Sequence, residues 1–173
     1  MLENYQILAG IVEAHPNRQI EGRIRLHRTT RLMQRVGLPI DYTFSIHFDG
    51  PYSQELHSDL KMMLHAGLGT EECRLSQKGE EFFIIKASAK ARLGMMDQFQ
   101  GSIELITAAD LQTVEFASTY DQYREMGSTH PDALSRTRSK FGSSYEGRRT
   151  DSALTLLRGL GLPVGARVMR ASA

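Results

Sequence analysis

Cysteine is almost absent from this chain of 173 residues, which contains Cys73 alone. A single thiol cannot form an internal disulfide or a zinc site built from several cysteines, and such scarcity is compatible with a reducing compartment. The sequence also has no apolar run near the roughly 20 residues of a membrane-spanning helix and no basic segment at its N-terminus. We therefore expect a cytoplasmic, full-length protein that has no membrane partner.

Motifs for catalysis and cofactor binding are equally scarce. The sequence contains no P-loop or dinucleotide-binding motif, Ser53 lacks a glycine-flanked elbow, and Cys73 has no base at a known motif spacing. His47, Asp49 and His57 surround one predicted turn, but their spacing matches no established metal site. We therefore expect a non-enzymatic protein with no cofactor and no metal.

Hydrophobic residues make up 40% of the chain, which is enough to bury the core of one domain or slightly more. Apolar periodicity predicts helices over 3–15 and 21–36 and a half-buried strand over 42–48. A third helix begins after the turn that follows, and a hairpin is predicted over 72–86. This order is typical of a winged-helix-like domain, which we place at 1–86 with the hairpin as its wing.

The stretch "HFDGPYSQEL", residues 47–56, separates the predicted strand from the third helix. Gly50 permits a left-handed backbone and Pro51 removes a ladder donor, so the strand should end there. Ser53 occupies the position of a helix N-cap, and Tyr52 is interpreted as a packing or hydrogen-bonding residue. We expect a structural turn formed by Gly50, Pro51, Tyr52 and Ser53.

The second half of the chain is predicted to be a helical extension, 87–162, packed on the first domain. Its clearest helices are expected at 110–126 and 151–160, with a ragged tail at 163–173. The overall fold class is therefore α+β and mainly helical.

Several segments together resemble a known family. They are "GRIRLHRTTRL", "GPYSQEL" followed by "DLKMMLHAGL", and "CRLSQKGEEF", with weaker similarity in "LQTVEFASTYDQYRE", "SRTRSKFG" and "DSALTLLRGLGLP". The chain resembles the YwgA-type uncharacterised winged-helix proteins and, more distantly, the SocA-like antitoxins called Panacea domains. That resemblance implies a winged-helix-like interaction module of the kind found near toxin or phage-related genes.

Arginine is concentrated in one short segment that has Glu21 as its only acid. The six residues are Arg18, Arg23, Arg25, Arg28, Arg31 and Arg35. On a helix, Arg28, Arg31 and Arg35 share one face, and guanidinium groups suit phosphate or carboxylate contacts. Three interpretations stay open: a solvated face paired with Glu55, Asp59, Glu71 or Glu72; a surface for an anionic partner; and burial in a homodimer.

A second basic segment contains Arg136, Arg138 and Lys140 and adds to the candidate surface for nucleic acid or another anionic partner. The predicted third helix weakens a DNA-reading role, because its outward positions are mixed and slightly acidic and the wing offers only Arg74 and Lys78. We therefore favour a protein-interaction module, antitoxin-like or a defence-system accessory, whose partner is a toxin or defence component. The alternative is a winged-helix regulator that binds DNA or RNA through the Arg18 to Arg35 helix.

Overall fold

The computed structural model describes residues 2–142 and 147–165. Within these ranges the helices are α1 (Asn4–Glu13), α2 (Arg23–Arg35), α3 (Gln54–His65), α4 (Gln100–Ala108), α5 (Leu111–Glu125), α6 (His130–Phe141) and α7 (Arg148–Gly159). The strands are β1 (Gln19–Glu21), β2 (Ser45–His47), β3 (Gly50–Tyr52), β4 (Gly69–Leu75) and β5 (Glu81–Ala87). The fold class is α+β and mainly helical, as predicted.

The larger sheet is antiparallel and has the strand order β1-β5-β4. The predicted hairpin is confirmed, with β4 and β5 joined by a turn in which Gly79 has a positive φ of 78°. Strand β1, which the sequence patterns do not predict, pairs with β5 and places Ile20 opposite Ile85. Both side chains are buried, so this third strand closes the sheet over the core.

The smaller sheet is the two-stranded hairpin β2–β3. The predicted strand over 42–48 is therefore too long, since only Ser45–His47 is extended and paired. Phe48 was expected on the buried side of that strand but lies in the turn. The N-cap prediction is confirmed, because the Ser53 hydroxyl accepts a hydrogen bond from the Leu56 amide at 3.2 Å and starts α3.

Helix α5 is the centre of the second half and packs against α2, α6, α7 and β3. The predicted helix over 110–126 is confirmed, with Asp110 as its N-cap, but it is buried on nearly all sides between Thr113 and Tyr123. One hydrophobic cluster contains core residues from both 1–86 and 87–162.

The predicted loop at 142–145 falls mainly outside the described residues, as does most of the predicted tail at 163–173. No helix in the described ranges has both the length and the apolar character needed to cross a membrane.

A buried ion network joins α2 to α5. The Arg31 side chain is 2% exposed and its Nη2 lies 3.2 Å from Asp121 Oδ2, which belongs to a side chain that is 1% exposed. Arg31 also donates to Gln122 Oε1 at 2.6 Å and to Glu125 Oε2 at 2.7 Å. Arg35 donates to Asp121 at 2.8 Å. The expectation that Arg31 lies on an outward face is therefore wrong, because its side chain is buried against acids of this same chain. Arg35 is paired with the same acids but keeps a side chain that is 26% exposed.

Replacing Asp121 with asparagine should destabilise the fold by about 3 kcal/mol, since it leaves the buried Arg31 guanidinium without its closest buried counter-charge. Urea unfolding followed by circular dichroism measures the loss. The matched control is Asp97→Asn, which breaks the Arg92–Asp97 pair, whose side chains are 64% and 68% exposed. That control should cost less than about 1 kcal/mol. Equal losses in the two variants would contradict the structural importance of the buried network.

Candidate functional site

The β2–β3 hairpin turns through Phe48 and Asp49, with His47 opposite Gly50 and Ile46 opposite Pro51. Gly50 has a φ of +109°, a left-handed conformation that glycine adopts without a steric penalty. Two residues therefore join the strands, and the left-handed backbone after them favours glycine at position 50. The prediction of a turn formed by Gly50, Pro51, Tyr52 and Ser53 is wrong in its position, because Gly50–Tyr52 is strand β3 and Ser53 is the N-cap of α3. Gly50 and Pro51 are both buried.

Arg28 binds the backbone of this turn. Arg28 belongs to α2, and the whole residue is 2% exposed. Its Nη2 donates a hydrogen bond to the carbonyl oxygen of Asp49. Burial lowers the pKa of Arg28 to about 10, while the charges of Glu115 and Asp49 oppose that shift. The guanidinium therefore stays charged at neutral pH. The expectation that Arg28 lies on an outward face is wrong, because it is a buried clamp on the turn.

The absence of a side chain at Gly50 is required by its neighbours. A Cβ at this position would lie 2.7 Å from Thr119 Oγ1 and 3.2 Å from Arg28 Nε. Thr119 belongs to α5, so the turn is pressed between two helices. Any larger residue would have to displace the Arg28 clamp or the hairpin.

Aromatic rings cluster on the open side of the turn. His27 stacks on Tyr52 with 4.6 Å between ring centroids and 14° between planes. The ring centroids of His47 and His57 lie 4.9 Å and 6.5 Å from that of Tyr52. Three elements therefore converge here, since His27 is on α2, His47 is on β2 and His57 is on α3. Tyr52 has the packing role that its position predicts, and its hydroxyl donates to Gln54 Oε1 at 3.2 Å.

His27 is fixed as a neutral ring. Its Nδ1 accepts a hydrogen bond from the Ser53 amide at 3.2 Å, so the proton is on Nε2. Burial, together with the neighbouring charge of Arg28, lowers the pKa of His27 to about 3. At neutral pH this side chain is therefore an uncharged donor through Nε2.

These rings line a small cavity of about 270 Å³. Its walls are formed by His27, His47, His57 and Tyr52, together with Arg23 and Arg28. Across the described ranges there is no group of three or more His, Cys, Asp or Glu side chains placed to hold a metal ion. The chemistry of the cavity is that of hydrogen-bond donors and ring edges.

The other predicted binding residues of α2 also have internal partners. Arg25 donates to the carbonyl oxygen of Ala109 at 2.7 Å and so covers the C-terminal end of α4. Arg23 forms a two-point contact with Glu71, with Nε donating to Oε1 at 2.7 Å, and its guanidinium lies 3.8 Å from the Phe83 ring centroid. The Arg23–Glu71 pair is one that the solvated-face interpretation named. Arg25 is half-buried and donates to three backbone carbonyls at the C-terminal end of α4, and its predicted role in binding stays a prediction.

The second basic segment lies on α6. Arg136 is exposed, donates to Ser128 Oγ at 3.1 Å and stacks 4.1 Å above the Tyr123 ring, while Arg138 is exposed. Lys140 is half-buried, and burial lowers its pKa while the charge of Asp49 raises it. Lys140 therefore belongs to the surroundings of the turn, whereas the two arginines stay on the surface.

Sequence reasoning missed the convergence of the histidines. His47 and His57 were weighed only as metal ligands, and His27 was not singled out because a histidine within an arginine-rich helix carries no local signal. The available signal was the position of His47 at the start of the stretch 47–56 and of His57 directly after it.

No protein-family model matches this chain, and the searches against curated proteins and solved structures found no significant similarity. The resemblance to the YwgA-type and Panacea families therefore stays a prediction.

Gly50→Ala should destabilise the protein by about 2–5 kcal/mol, since it combines left-handed backbone strain with a clash against Thr119 and Arg28. Gly37→Ala is the matched control, because Gly37 has a φ of +96° but nothing within 4 Å of an added Cβ. It should cost only the backbone component of about 1–2 kcal/mol. Both values come from chemical denaturation, and identical losses would show that packing around Gly50 is unimportant.

Acid should weaken the fold through His27. The unfolded ring binds a proton near its ordinary pKa of 6.5, whereas the folded ring resists protonation down to about 3. Above about pH 6.5 the ring is neutral in both states and the free energy of unfolding does not depend on it. As pH falls from 6.5 towards 3, the unfolded ring binds a proton that the folded ring does not, so the free energy of unfolding decreases by about 1.4 kcal/mol per pH unit. His27→Gln should remove this contribution from the slope of unfolding free energy against pH between 6 and 4. An unchanged slope would mean that the folded His27 ring accepts a proton readily.

Proposed function

We propose that this chain is a non-enzymatic protein-interaction module whose main contact is the β2–β3 turn. The observation that carries the proposal is Phe48, which is 90% exposed although it is a large apolar side chain. It stands at the tip of a hairpin that Arg28 and Gly50 hold in one shape. An exposed aromatic on a rigid support suits an interface anchor, because aromatic residues dominate interface energies and an ordered turn loses little entropy on binding.

The alternative function, nucleic-acid binding through α2, is less well supported. Arg25, Arg28, Arg31 and Arg35 have acceptors within the chain, and Arg28 and Arg31 are buried. They are therefore not free to neutralise phosphates on an outside surface. Arg136 and Arg138 remain exposed, but two contacts predict only a weak, salt-sensitive association.

The order of elements supports a winged-helix-like interpretation of the first half. Helices α1, α2 and α3 are followed by the β4–β5 hairpin, and β1 joins the same sheet. In this interpretation β4–β5 is the wing and the turn before α3 is an insertion. Together with the family resemblance, this arrangement favours an antitoxin-like protein or a defence-system accessory whose partner is a toxin or defence component.

Phe48→Ser should weaken partner binding at least about 30-fold, equivalent to about 2 kcal/mol, while changing stability by less than about 0.5 kcal/mol. The products of neighbouring reading frames are co-expressed with the chain, and calorimetry measures the affinity of any complex. The matched control is Met126→Ser, since Met126 is 61% exposed on the distant α5–α6 connection. Its affinity should equal that of the wild type.

Binding to random duplex DNA tests the nucleic-acid alternative. The proposal predicts no binding in the micromolar range at about 100 mM salt. Binding in that range, lost in the Arg136→Gln, Arg138→Gln double variant and with a log–log salt slope near −1.8, would favour the nucleic-acid alternative. Equal partner affinity in the Phe48 and Met126 variants would refute the anchor role of Phe48.

A further inference from the structure

The cavity beside Phe48 has hydrogen-bond donors that have no acceptors. His27 Nε2 carries a proton, because Nδ1 accepts from the Ser53 amide. No acceptor for Nε2 lies among the described residues, and His27 otherwise contacts the Tyr52 ring. The His27 side chain is almost fully buried, yet its Nε2 keeps some accessibility, so a group that enters the cavity can accept a hydrogen bond from it. The cavity is the side from which an acceptor can reach it.

His57 adds a second group of the same kind. It lies in the first turns of α3, is half-buried, and makes no hydrogen bond to any described residue, its ring contact being with Tyr52. Burial and the charges of Lys61 and Arg23 lower the pKa of His57, so its ring is neutral at pH 7 and keeps one N–H to donate. Two imidazole rings from different helices therefore offer donors to one small space.

The charged walls of the cavity are already largely balanced. Arg23 donates through Nε and Nη2 to the two carboxylate oxygens of Glu71. Arg28 donates to the Asp49 carbonyl, although its buried Nε has no partner. Asp49 also lines the cavity, is exposed, and acts through its charge on Arg28 and Lys140. The charges around the cavity largely cancel, so its distinctive groups are the neutral N–H donors, which form their strongest hydrogen bonds with an ionised acceptor.

The size of the cavity limits its occupant. Its volume of about 270 Å³ lies below the roughly 300–1,000 Å³ of sites for cofactors and drug-sized ligands. One side chain fits this space. Because His47 and Asp49 both line it, the cavity adjoins Phe48, which lies between them in sequence.

We propose that the cavity receives the carboxylate of one aspartate or glutamate side chain from the partner protein, with His27 Nε2 and His57 as its donors. The inference rests on the proposed function and specifies the partner's chemistry: an acidic residue next to the apolar surface that covers Phe48. The carboxylate supplies the acceptor that both imidazole rings lack.

The test uses two small probes that differ only in charge, N-acetyl-glutamate methylamide and N-acetyl-glutamine methylamide. Histidine side-chain nitrogen resonances are followed by NMR at pH 7, which is practical since the chain has six histidines. The glutamate probe should shift the His27 and His57 resonances saturably, with a dissociation constant on the order of millimolar for so small a ligand. The glutamine probe should produce no saturable shift.

His57→Gln should weaken the glutamate probe at least about fivefold, because it removes an imidazole donor from the cavity. His65→Gln, an exposed position on the same helix, should bind as the wild type does. Phe48→Ser should also keep probe binding, so loss of the anchor and loss of the carboxylate site are distinguishable. Absent or equal shifts with the two probes, or saturable shifts with inorganic phosphate alone, would overturn the inference.

Discussion

The ion network between Arg31 and Asp121 is the interaction on which the rest of the molecule depends. Removing two charges from water costs several kcal/mol for each ion, and only close, multiple hydrogen bonds offset that cost. Arg31 obtains three acceptors on α5, at Asp121, Gln122 and Glu125. Apolar packing alone permits α2 to slide or rotate along α5, whereas these directional contacts allow a single register. The network therefore determines where every other side chain of α2 points.

Helix α2 then distributes its remaining arginines to different parts of the fold. Arg23 contacts Glu71 on β4, Arg25 covers the end of α4, and Arg28 supports the β2–β3 turn. Each guanidinium reaches an element that is distant in sequence, since the shortest of these separations is 21 residues. A long side chain with five donors suits this role, because it can span the gap between elements and still satisfy several acceptors.

The sequence predicted local features well and the arginine contacts poorly, for a physical reason. The N-cap at Ser53 and the β4–β5 hairpin depend on neighbouring residues, and both were found. An arginine stripe at spacings of three and four looks identical whether it faces solvent or a buried acid. Asp121, the partner that distinguishes these two cases for Arg35, lies 86 residues away in the sequence. Its helix has a pattern that predicts an ordinary amphipathic helix and does not indicate a buried acid. Phe48 was misplaced because period-two alternation does not reveal where a strand reverses.

The same constraint explains why an exposed phenyl group and a donor-rich cavity occur together. The turn that presents Phe48 is supported by Arg28, and the preceding residue of α2, His27, lines the cavity beside that turn. Both are positioned by the register that Arg31 sets one turn further along the helix. A site built this way is ordered before any partner arrives, so association costs little conformational entropy. The buried charge of Arg31 thus contributes to recognition indirectly, by fixing the position of the helix whose residues His27 and Arg28 line the cavity.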